Sequence, residues 1–229
     1  MVENINIGKI MRSSNGAIAG KRRVKTMPQS WYNSFLKKIL AANVIHKSEI
    51  QEKRVLLLGS LTMDFAADEH PVIETARRYF VRHGAAECRY FIWYSSLTRA
   101  GESFKDFAAE HENTYDLVIL LDGMEKTKSF MQIPEKIQSL CKAKGCILAF
   151  ARTPLETGTS IQVNYYEDCW RYEAQDWHGI FPECDVEMGI EMDPAYLIAA
   201  KLRCNKKQKE LKSNAVAIYH CRAGRRITL

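Results

Sequence analysis

The chain has 229 residues, 46% of them hydrophobic and 26% charged, which is typical of one globular domain with extensions. It contains no run of about twenty apolar residues, which excludes a membrane-spanning helix by composition. The start of the chain is a poor secretion signal because Glu3 precedes its first lysine and no apolar core follows. Together these features predict a cytoplasmic protein.

The seven cysteines form no CxxC pair, and no histidine lies at the spacing of a metal ligand. Several fall in predicted strands or on apolar helix faces, where a reduced cysteine behaves as a small hydrophobe. We therefore expect neither disulfides nor a metal site.

The net charge of +6 is distributed unevenly along the chain. Residues 1–53 carry ten Lys and Arg against three acids, residues 205–229 carry seven against one, and the residues between carry sixteen against twenty-three. Two interpretations stay open: the basic ends fold back on the acidic body, or they bind an anionic partner such as nucleic acid or lipid headgroups.

The first 53 residues precede the predicted domain. Residues 1–29 show no sustained periodicity and predict a mobile or loosely docked arm. An apolar stripe at helical spacing then predicts an amphipathic helix that packs on a sheet or helix, with membrane-surface binding as the alternative. Residues 46–53 are polar and predict a linker. The stripe consists of Trp31, Phe35, Leu36, Ile39, Leu40 and Val44.

The next elements follow the order strand, helix, strand. Arg54 to Gly59 predicts a buried strand, and Pro71 to His83 predicts a helix that ends at Gly84. Glu87 to Tyr94 is rich in aromatic residues and predicts the second strand, and Ser103 to His111 predicts a further helix.

A second unit of the same kind occupies the centre of the chain. Leu117 to Leu121 and Cys146 to Ala151 are apolar runs of strand length, and residues 128–143 between them predict a helix whose apolar positions end at Cys141. Strands that are apolar on both faces and joined by a helix are typical of a parallel sheet covered on both sides.

The C-terminal third predicts a different pairing. A helix begins near Glu173 and ends at Pro182, and Cys184 to Glu191 and Tyr196 to Arg203 predict an antiparallel hairpin. Residues 215–220 add a short strand or dock on the surface. The sequence therefore predicts an α/β fold with a Rossmann-like, mostly parallel sheet, helices on both faces and a C-terminal antiparallel hairpin.

Polar residues follow two of the predicted parallel strands. Asp122 to Lys126 come after one strand, and Arg152 to Pro154 after the next. Ligands of such sheets bind at the carboxyl ends of the strands. The alternative for the first cluster is a solvated loop with a helix start. Asp116 lies at the other end of its strand and is interpreted as a turn residue.

The order of elements and three segments resemble the class I S-adenosylmethionine-dependent methyltransferases over about residues 54–204. TYDLVILLDGMEK is similar to the family's fourth strand and the loop after it, AKGCILAFARTP to its fifth strand, and DCWRY with FPECDVE to a segment before its sixth. The chain then divides into a basic arm and amphipathic helix (1–53), a methyltransferase-like domain (54–204) and a basic extension (205–229).

The resemblance implies S-adenosyl-L-methionine as cofactor and a small-molecule or glycan acceptor. Methyl transfer is an in-line displacement that needs alignment and, for a hydroxyl acceptor, a base. On the acceptor side, the resemblance implies roles for Asp122, Glu125, Tyr166, Trp170 and Arg171. The alternative role for Tyr166 and Trp170 is core packing, and the alternative for Arg171 is a salt bridge. The implied cofactor-binding residues are Gly59, Ser60, Leu61, Tyr94, Asp122 and Met124.

The sequence also departs from the family pattern. Leu57 stands at the position where the family usually has an acidic residue, and Leu61 stands where it usually has a further glycine. Residues 93–95 stand where the family usually ends its second strand with an acid that binds the ribose. Glu125 is followed by Lys126 in place of histidine. These departures support a second hypothesis, a non-catalytic scaffold or binding protein that keeps the fold and has lost the cofactor.

Overall fold

The computed structural model describes residues 3–6, 29–60, 71–93, 104–121, 124, 132–153, 170–191, 197–205, 217–220 and 225–228. The helices within these ranges are α1 Gln29–Ala41, α2 Pro71–Arg82, α3 Phe104–Glu110, α4 Gln132–Leu140 and α5 Trp177–Ile180. The strands are β1 Glu3–Asn6, β2 Arg54–Ser60, β3 Glu87–Trp93, β4 Tyr115–Leu120, β5 Cys141–Arg152, β6 Trp170–Arg171, β7 Cys184–Glu191, β8 Leu197–Cys204, β9 Ala217–His220 and β10 Arg225–Thr228.

A seven-stranded sheet in the order β1-β7-β8-β5-β4-β2-β3 forms the centre of the molecule. Strand β2 pairs in parallel with β3 and β4, and β4 pairs in parallel with β5. Strand β8 runs antiparallel between β5 and β7. The predicted α/β fold with a mostly parallel sheet and an antiparallel C-terminal hairpin is confirmed.

Helices cover both faces of this sheet because its central strands are apolar on both sides. On one face, Leu56, Val118 and their neighbours form a buried cluster with α3, α4 and α5. On the other, Leu57 and Ile119 form a second cluster with α1 and α2. Each fully buried leucine or isoleucine contributes about 1.5–3 kcal/mol to folding. The two clusters therefore fix the position of the strand ends where ligands of this fold class bind.

Helix α1 packs on the second face, as the first interpretation of its apolar stripe predicts. The rings of Phe35 and Phe150 meet edge to face with 5.5 Å between centroids.

The segment after α1 differs from the prediction. Residues 46–53 do not form a plain polar linker, because they contain a 3₁₀ turn at Lys47–Glu49 and the fully buried Ile50. In the described part of the chain, no helix combines the length and apolarity needed to cross a bilayer.

The boundary between α4 and β5 also differs from the prediction. The sequence places Cys141 on a helix, whereas the structure ends α4 at Leu140 and pairs Cys141 with Tyr115 as the start of β5. The register then shifts, and Lys144 adopts a left-handed φ of 65°. Cross-strand pairing with β4 has overridden the helical spacing of Ile137 and Cys141.

Strands at the two ends of the chain were not all expected. Residues 1–29 show no sustained periodicity and predict a mobile or loosely docked arm, yet Glu3–Asn6 form β1, which pairs in parallel with β7 at the sheet edge. Residues 215–220 had two alternatives, a short strand or a segment docked on the surface; they contain β9, which lies between β6 and β10 in a separate three-stranded antiparallel sheet. Strand β6 has two residues, too few to show a period in sequence.

None of the five cysteines within the described ranges forms a disulfide. Cys184 and Cys204 face each other across the hairpin, with their Sγ atoms 3.1 Å apart in a thiol hydrogen bond. Burial raises the pKa of Cys146 to about 12. These side chains act as buried thiols within the core clusters.

Candidate functional site

The carboxyl ends of four parallel strands meet at one edge of the large sheet. Gly59 and Ser60, which end β2, lie opposite Ile92 and Trp93 of β3. On the other side of β2, the Leu121 N–H donates to the Leu58 carbonyl oxygen at 2.8 Å, so β4 stays attached to β2 one residue beyond its last ladder pair. Strands β2 and β4 therefore end side by side.

Two of the predicted cofactor-binding residues end β2, and a third follows β4. Gly59 is buried and Ser60 closes the strand. Met124 is 1% exposed, and its carbonyl oxygen accepts a hydrogen bond from the Tyr172 hydroxyl at 3.1 Å. The structure thus joins the loop after β4 to the segment that follows β6. The other predicted cofactor residues, Leu61, Tyr94 and Asp122, lie outside the described ranges.

Leu57 belongs to the core and not to the loop. It is 1% exposed, lies between Tyr90 and Ile119 in the sheet, and packs in the cluster beneath α1 and α2. A carboxylate at this position would lose its hydration in an apolar cluster, which is unfavourable without a partner. The apolar residue at this position is therefore consistent with its surroundings.

On the predicted acceptor side, the structure describes Trp170 and Arg171. Both are 6% exposed, and the Arg171 Nη1 donates to the Trp170 carbonyl oxygen at 2.8 Å. Trp170 belongs to the apolar cluster beneath α3 and α4, which supports core packing for its side chain. The remaining candidates, Asp122, Glu125 and Tyr166, lie outside the described ranges.

Sequence reasoning missed Tyr172, the residue that holds this region together. Besides its hydrogen bond to Met124, it stacks on the fully buried Trp177, with 6.3 Å between ring centroids and 14° between planes. The density of aromatic residues in YYEDCWRYEAQDW is the signal that a buried, hydrogen-bonded tyrosine would leave in sequence.

Asp116 lies at the opposite, amino-terminal edge of the sheet. It is a strand residue, not a turn residue: it sits in β4 and accepts hydrogen bonds from the Arg54 N–H and the Lys142 ammonium, both at 3.0 Å. Burial raises its pKa, but these bonds outweigh burial and hold the pKa of Asp116 below its usual value. It therefore ties β2, β4 and β5 together away from the candidate site.

At the carboxyl edge of the sheet, backbone groups lie next to a glycine, and a segment with aromatic and cationic residues lies close by. Across the described ranges, no three His, Cys, Asp or Glu side chains are arranged to hold a metal ion. Gly59 has no side chain, so a ligand can approach the end of β2 closely. These features suit a cofactor that is bound largely through backbone groups.

No protein-family model and no curated protein matches the sequence. The structure is similar to that of a Listeria monocytogenes protein described as an S-adenosylmethionine-dependent methyltransferase, with a TM-score of 0.51, 14% identity and coverage of 77% of this chain and 99% of that chain. It is also similar to trans-methyltransferase CalH, solved in complex with SAH, with a TM-score of 0.50, 13% identity and coverage of 77% and 57%. The described part of the chain therefore has the fold of the class I S-adenosylmethionine-dependent methyltransferases.

Proposed function

We propose that the chain is an S-adenosylmethionine-dependent methyltransferase that acts on a small-molecule or glycan acceptor. The observation that carries this proposal is the shared edge at which β2 and β4 end side by side, joined by the bond from Leu121 to Leu58. CalH, which has the same fold, was solved with SAH. Ligands of open α/β sheets bind outside the carboxyl ends of such strands.

The residues at the end of β2 fit the cofactor through their backbone. Gly59 and Ser60 would present backbone groups to it, since glycine allows close approach. Tyr94 would stack on or bond the adenosine, and Leu61, Asp122 and Met124 would line the pocket. Because residues 93–95 include no acid, the ribose would be held by hydroxyl and backbone groups. When bound, the cofactor supplies an electrophilic methyl group.

The acceptor would lie between the loop after β4 and the segment that contains β6. Asp122 or Glu125 would accept the proton of a hydroxyl acceptor, and Tyr166 and Arg171 would orient it. The hydrogen bond from Tyr172 to Met124 supports this arrangement, because it brings the two segments together.

Thermal denaturation of the full chain with S-adenosylmethionine, SAH or ATP tests the proposal. A ligand at one hundred times its Kd stabilises the folded state by about 2.7 kcal/mol. We expect the melting temperature to rise by several degrees with the first two ligands and not with ATP. A Gly59→Val variant should lose this shift, since its side chain blocks close approach, whereas the exposed Val81→Ala should keep it.

Absence of any shift at millimolar S-adenosylmethionine and SAH would overturn the proposal and favour the non-catalytic scaffold. An equal shift with ATP would also contradict it, because the site would then not distinguish the cofactor from another adenine nucleotide.

A further inference from the structure

Two cysteines lie directly opposite each other in the antiparallel hairpin of β7 and β8. Cys184 is the first residue of β7, Cys204 is the last residue of β8, and the two pair across the ladder. Their Sγ atoms are 3.1 Å apart, and either thiol can donate the hydrogen bond between them. The fold therefore brings together two thiols that lie 20 positions apart in the sequence.

The backbone around this pair has the spacing that a disulfide requires. The Asn205 N–H donates to the Glu183 carbonyl oxygen at 3.1 Å, so the adjacent residues 183 and 205 form a hydrogen-bonded pair. The two kinds of pair alternate along an antiparallel ladder, which makes Cys184 and Cys204 a non-hydrogen-bonded pair with Cα atoms about 4.5 Å apart. Disulfides join Cα atoms about 4.4–6.8 Å apart. The two sulfur atoms can therefore bond after an approach of about 1 Å, without a rearrangement of the strands.

A buried glutamine lies against the pair and tolerates its oxidation. Gln138 of α4 is 3% exposed, and its Oε1 accepts hydrogen bonds from the Cys184 thiol at 3.7 Å and from the Glu183 N–H at 3.1 Å. A buried polar atom that loses its partners destabilises a fold. Loss of the Cys184 proton leaves this oxygen bonded to Glu183, so oxidation creates no unsatisfied acceptor at Gln138.

The pair lies at the ends of its two strands, where local opening exposes side chains most easily. In the closed structure Cys184 is 3% exposed and Cys204 is 1% exposed, so a reagent reaches them only after such an opening. Next to the pair, the Asn205 bond to Glu183 continues the ladder. Strand ends open at a much lower free energy than the whole protein unfolds. Brief opening there gives a small reagent access to the Cys204 thiol, which ends β8.

A third thiol lies beside the pair but is out of register with it. A hydrogen bond with Cys204 and burial, followed by the charges of neighbouring thiols, raise the pKa of Cys141 well above its usual value. Because the thiolate is the reactive form, this raised pKa keeps Cys141 unreactive. Cys141 also pairs with Tyr115 of β4, so its backbone does not lie opposite either of the other two cysteines. The register thus favours a link between Cys184 and Cys204.

We infer that Cys184 and Cys204 are a reversible redox pair that a small-molecule disulfide, such as oxidised glutathione, converts to a disulfide. One protein thiolate attacks a sulfur of the reagent, forms a mixed disulfide and releases one small thiol. The second protein thiolate attacks the protein sulfur of the mixed disulfide, closes the new bond and releases the second small thiol. Two protein thiols are thus oxidised, one reagent disulfide is reduced, and the two protons end on the released thiols. This pair does not depend on the proposed methyl transfer.

Oxidation of the folded full chain tests the pair. The reduced chain is incubated with millimolar oxidised glutathione in native buffer, quenched in acid, alkylated at its remaining thiols and mapped by peptide mass spectrometry. We expect the link between Cys184 and Cys204 to be the main internal disulfide, and dithiothreitol to restore both thiols. In denaturing urea this preference should disappear, because a short loop such as that between Cys141 and Cys146 closes more easily.

Variants that lack one thiol provide the controls. Cys184→Ala and Cys204→Ala should each abolish the link. Cys88→Ala is the matched control and should keep it, because Cys88 is a half-buried thiol in β3, at the opposite edge of the sheet from β7. If the first two variants do not fold, the map of the unmodified chain decides alone.

Several results would overturn the inference. The first is that Cys184 and Cys204 stay reduced, or stop at a mixed disulfide with glutathione, while the chain remains folded. A main link that involves Cys141 would contradict the argument from register. An equal yield of the link between Cys184 and Cys204 in native buffer and in urea would show that the fold does not direct it, and loss of the link in Cys88→Ala would reject the pair as well.

Discussion

Lys201 is the clearest example of a single residue whose role depends on a distant part of the chain. It lies in the middle of β8 with a side chain that is 5% exposed, and its ammonium donates to Glu49 Oε2 at 2.8 Å and to the Val44 carbonyl oxygen at 3.0 Å. Burying an ammonium group is unfavourable unless it is paired. Glu49 also accepts a hydrogen bond from Arg203, so it joins the segment after α1 to β8.

The sequence did not reveal this role of Glu49, because its partner lies 152 positions away. A lysine inside the apolar run LIAAKLRC signals that a buried charge needs a counter-ion, but many acids of the chain fit that requirement equally. Only the three-dimensional structure selects Glu49. The same limit applies to Tyr172, whose partner Met124 is 48 positions away.

Replacing Glu49 by glutamine should destabilise the protein markedly. Removal of the Glu49 charge leaves the buried Lys201 ammonium with only the more distant Glu187 carboxylate, at 3.7 Å, and we expect a loss of about 2–3 kcal/mol in the free energy of unfolding. Urea denaturation measures it. Glu74→Gln is the control, since Glu74 pairs with Arg78, whose side chain is 79% exposed, and its loss should cost about 0.5 kcal/mol or less. Equal losses in the two variants would contradict the role of Glu49.

The effect of Glu49→Gln should depend on pH. Burial raises the pKa of Glu49, but hydrogen bonds from Lys201, the His46 N–H and Arg203 outweigh burial, so its pKa lies below the usual value in the folded protein. A lowered pKa stabilises the folded state above the unfolded value of about 4.3, and this stabilisation disappears as the pH falls through the folded value. The difference between the unmodified chain and Glu49→Gln should therefore be largest near neutral pH and shrink in acid.

At the scale of elements, the sequence predicts long apolar strands well and short or irregular ones poorly. Strands β2, β4 and β5 were recognised because runs such as LVIL are apolar on both faces. Strand β1 has one apolar residue in ENIN, and β6 has two residues, so neither shows a period. The start of β5 was assigned to a helix because Ile137 and Cys141 are four residues apart, which is helical spacing.

The irregular start of β5 leads to a prediction about two adjacent residues. A Cβ atom at Gly145 would lie 2.7 Å from Cys141 Sγ and 2.9 Å from both the Asp116 and Lys142 carbonyl oxygens. Since two of these atoms are backbone, Gly145→Ala should lower the free energy of unfolding by about 1–3 kcal/mol.

Lys144 has a left-handed φ of 65°, so Lys144→Gly should leave the free energy of unfolding unchanged or raise it by up to about 1 kcal/mol.

Urea denaturation of both variants provides the measurement, with the slope of the transition as a check that the denatured state is unchanged. A Gly145→Ala variant as stable as the unmodified chain would show that the close approach at the start of β5 is not a constraint. A large loss in Lys144→Gly would contradict the strain assigned to Lys144.

At the scale of the whole molecule, the strand order and the two core clusters follow from the apolar pattern, whereas the site residues do not. Periodicity determines which side chains are buried, so it predicts the edge where Gly59 and Leu121 lie. It carries no information on which polar loop residues converge there, because those residues have no packing requirement that constrains their type. The attachment of the basic C-terminal strands to β6 likewise depends on a tertiary pairing.

Strands β2 and β4 end side by side at the edge that we propose binds S-adenosylmethionine. A crystal structure of the full chain grown with SAH is the decisive experiment. We expect it to show parallel β2 and β4 and SAH density beside Gly59 and Ser60, next to the loop that contains Met124. Density for SAH elsewhere on the molecule, or no density at a saturating concentration with that edge accessible, would contradict it.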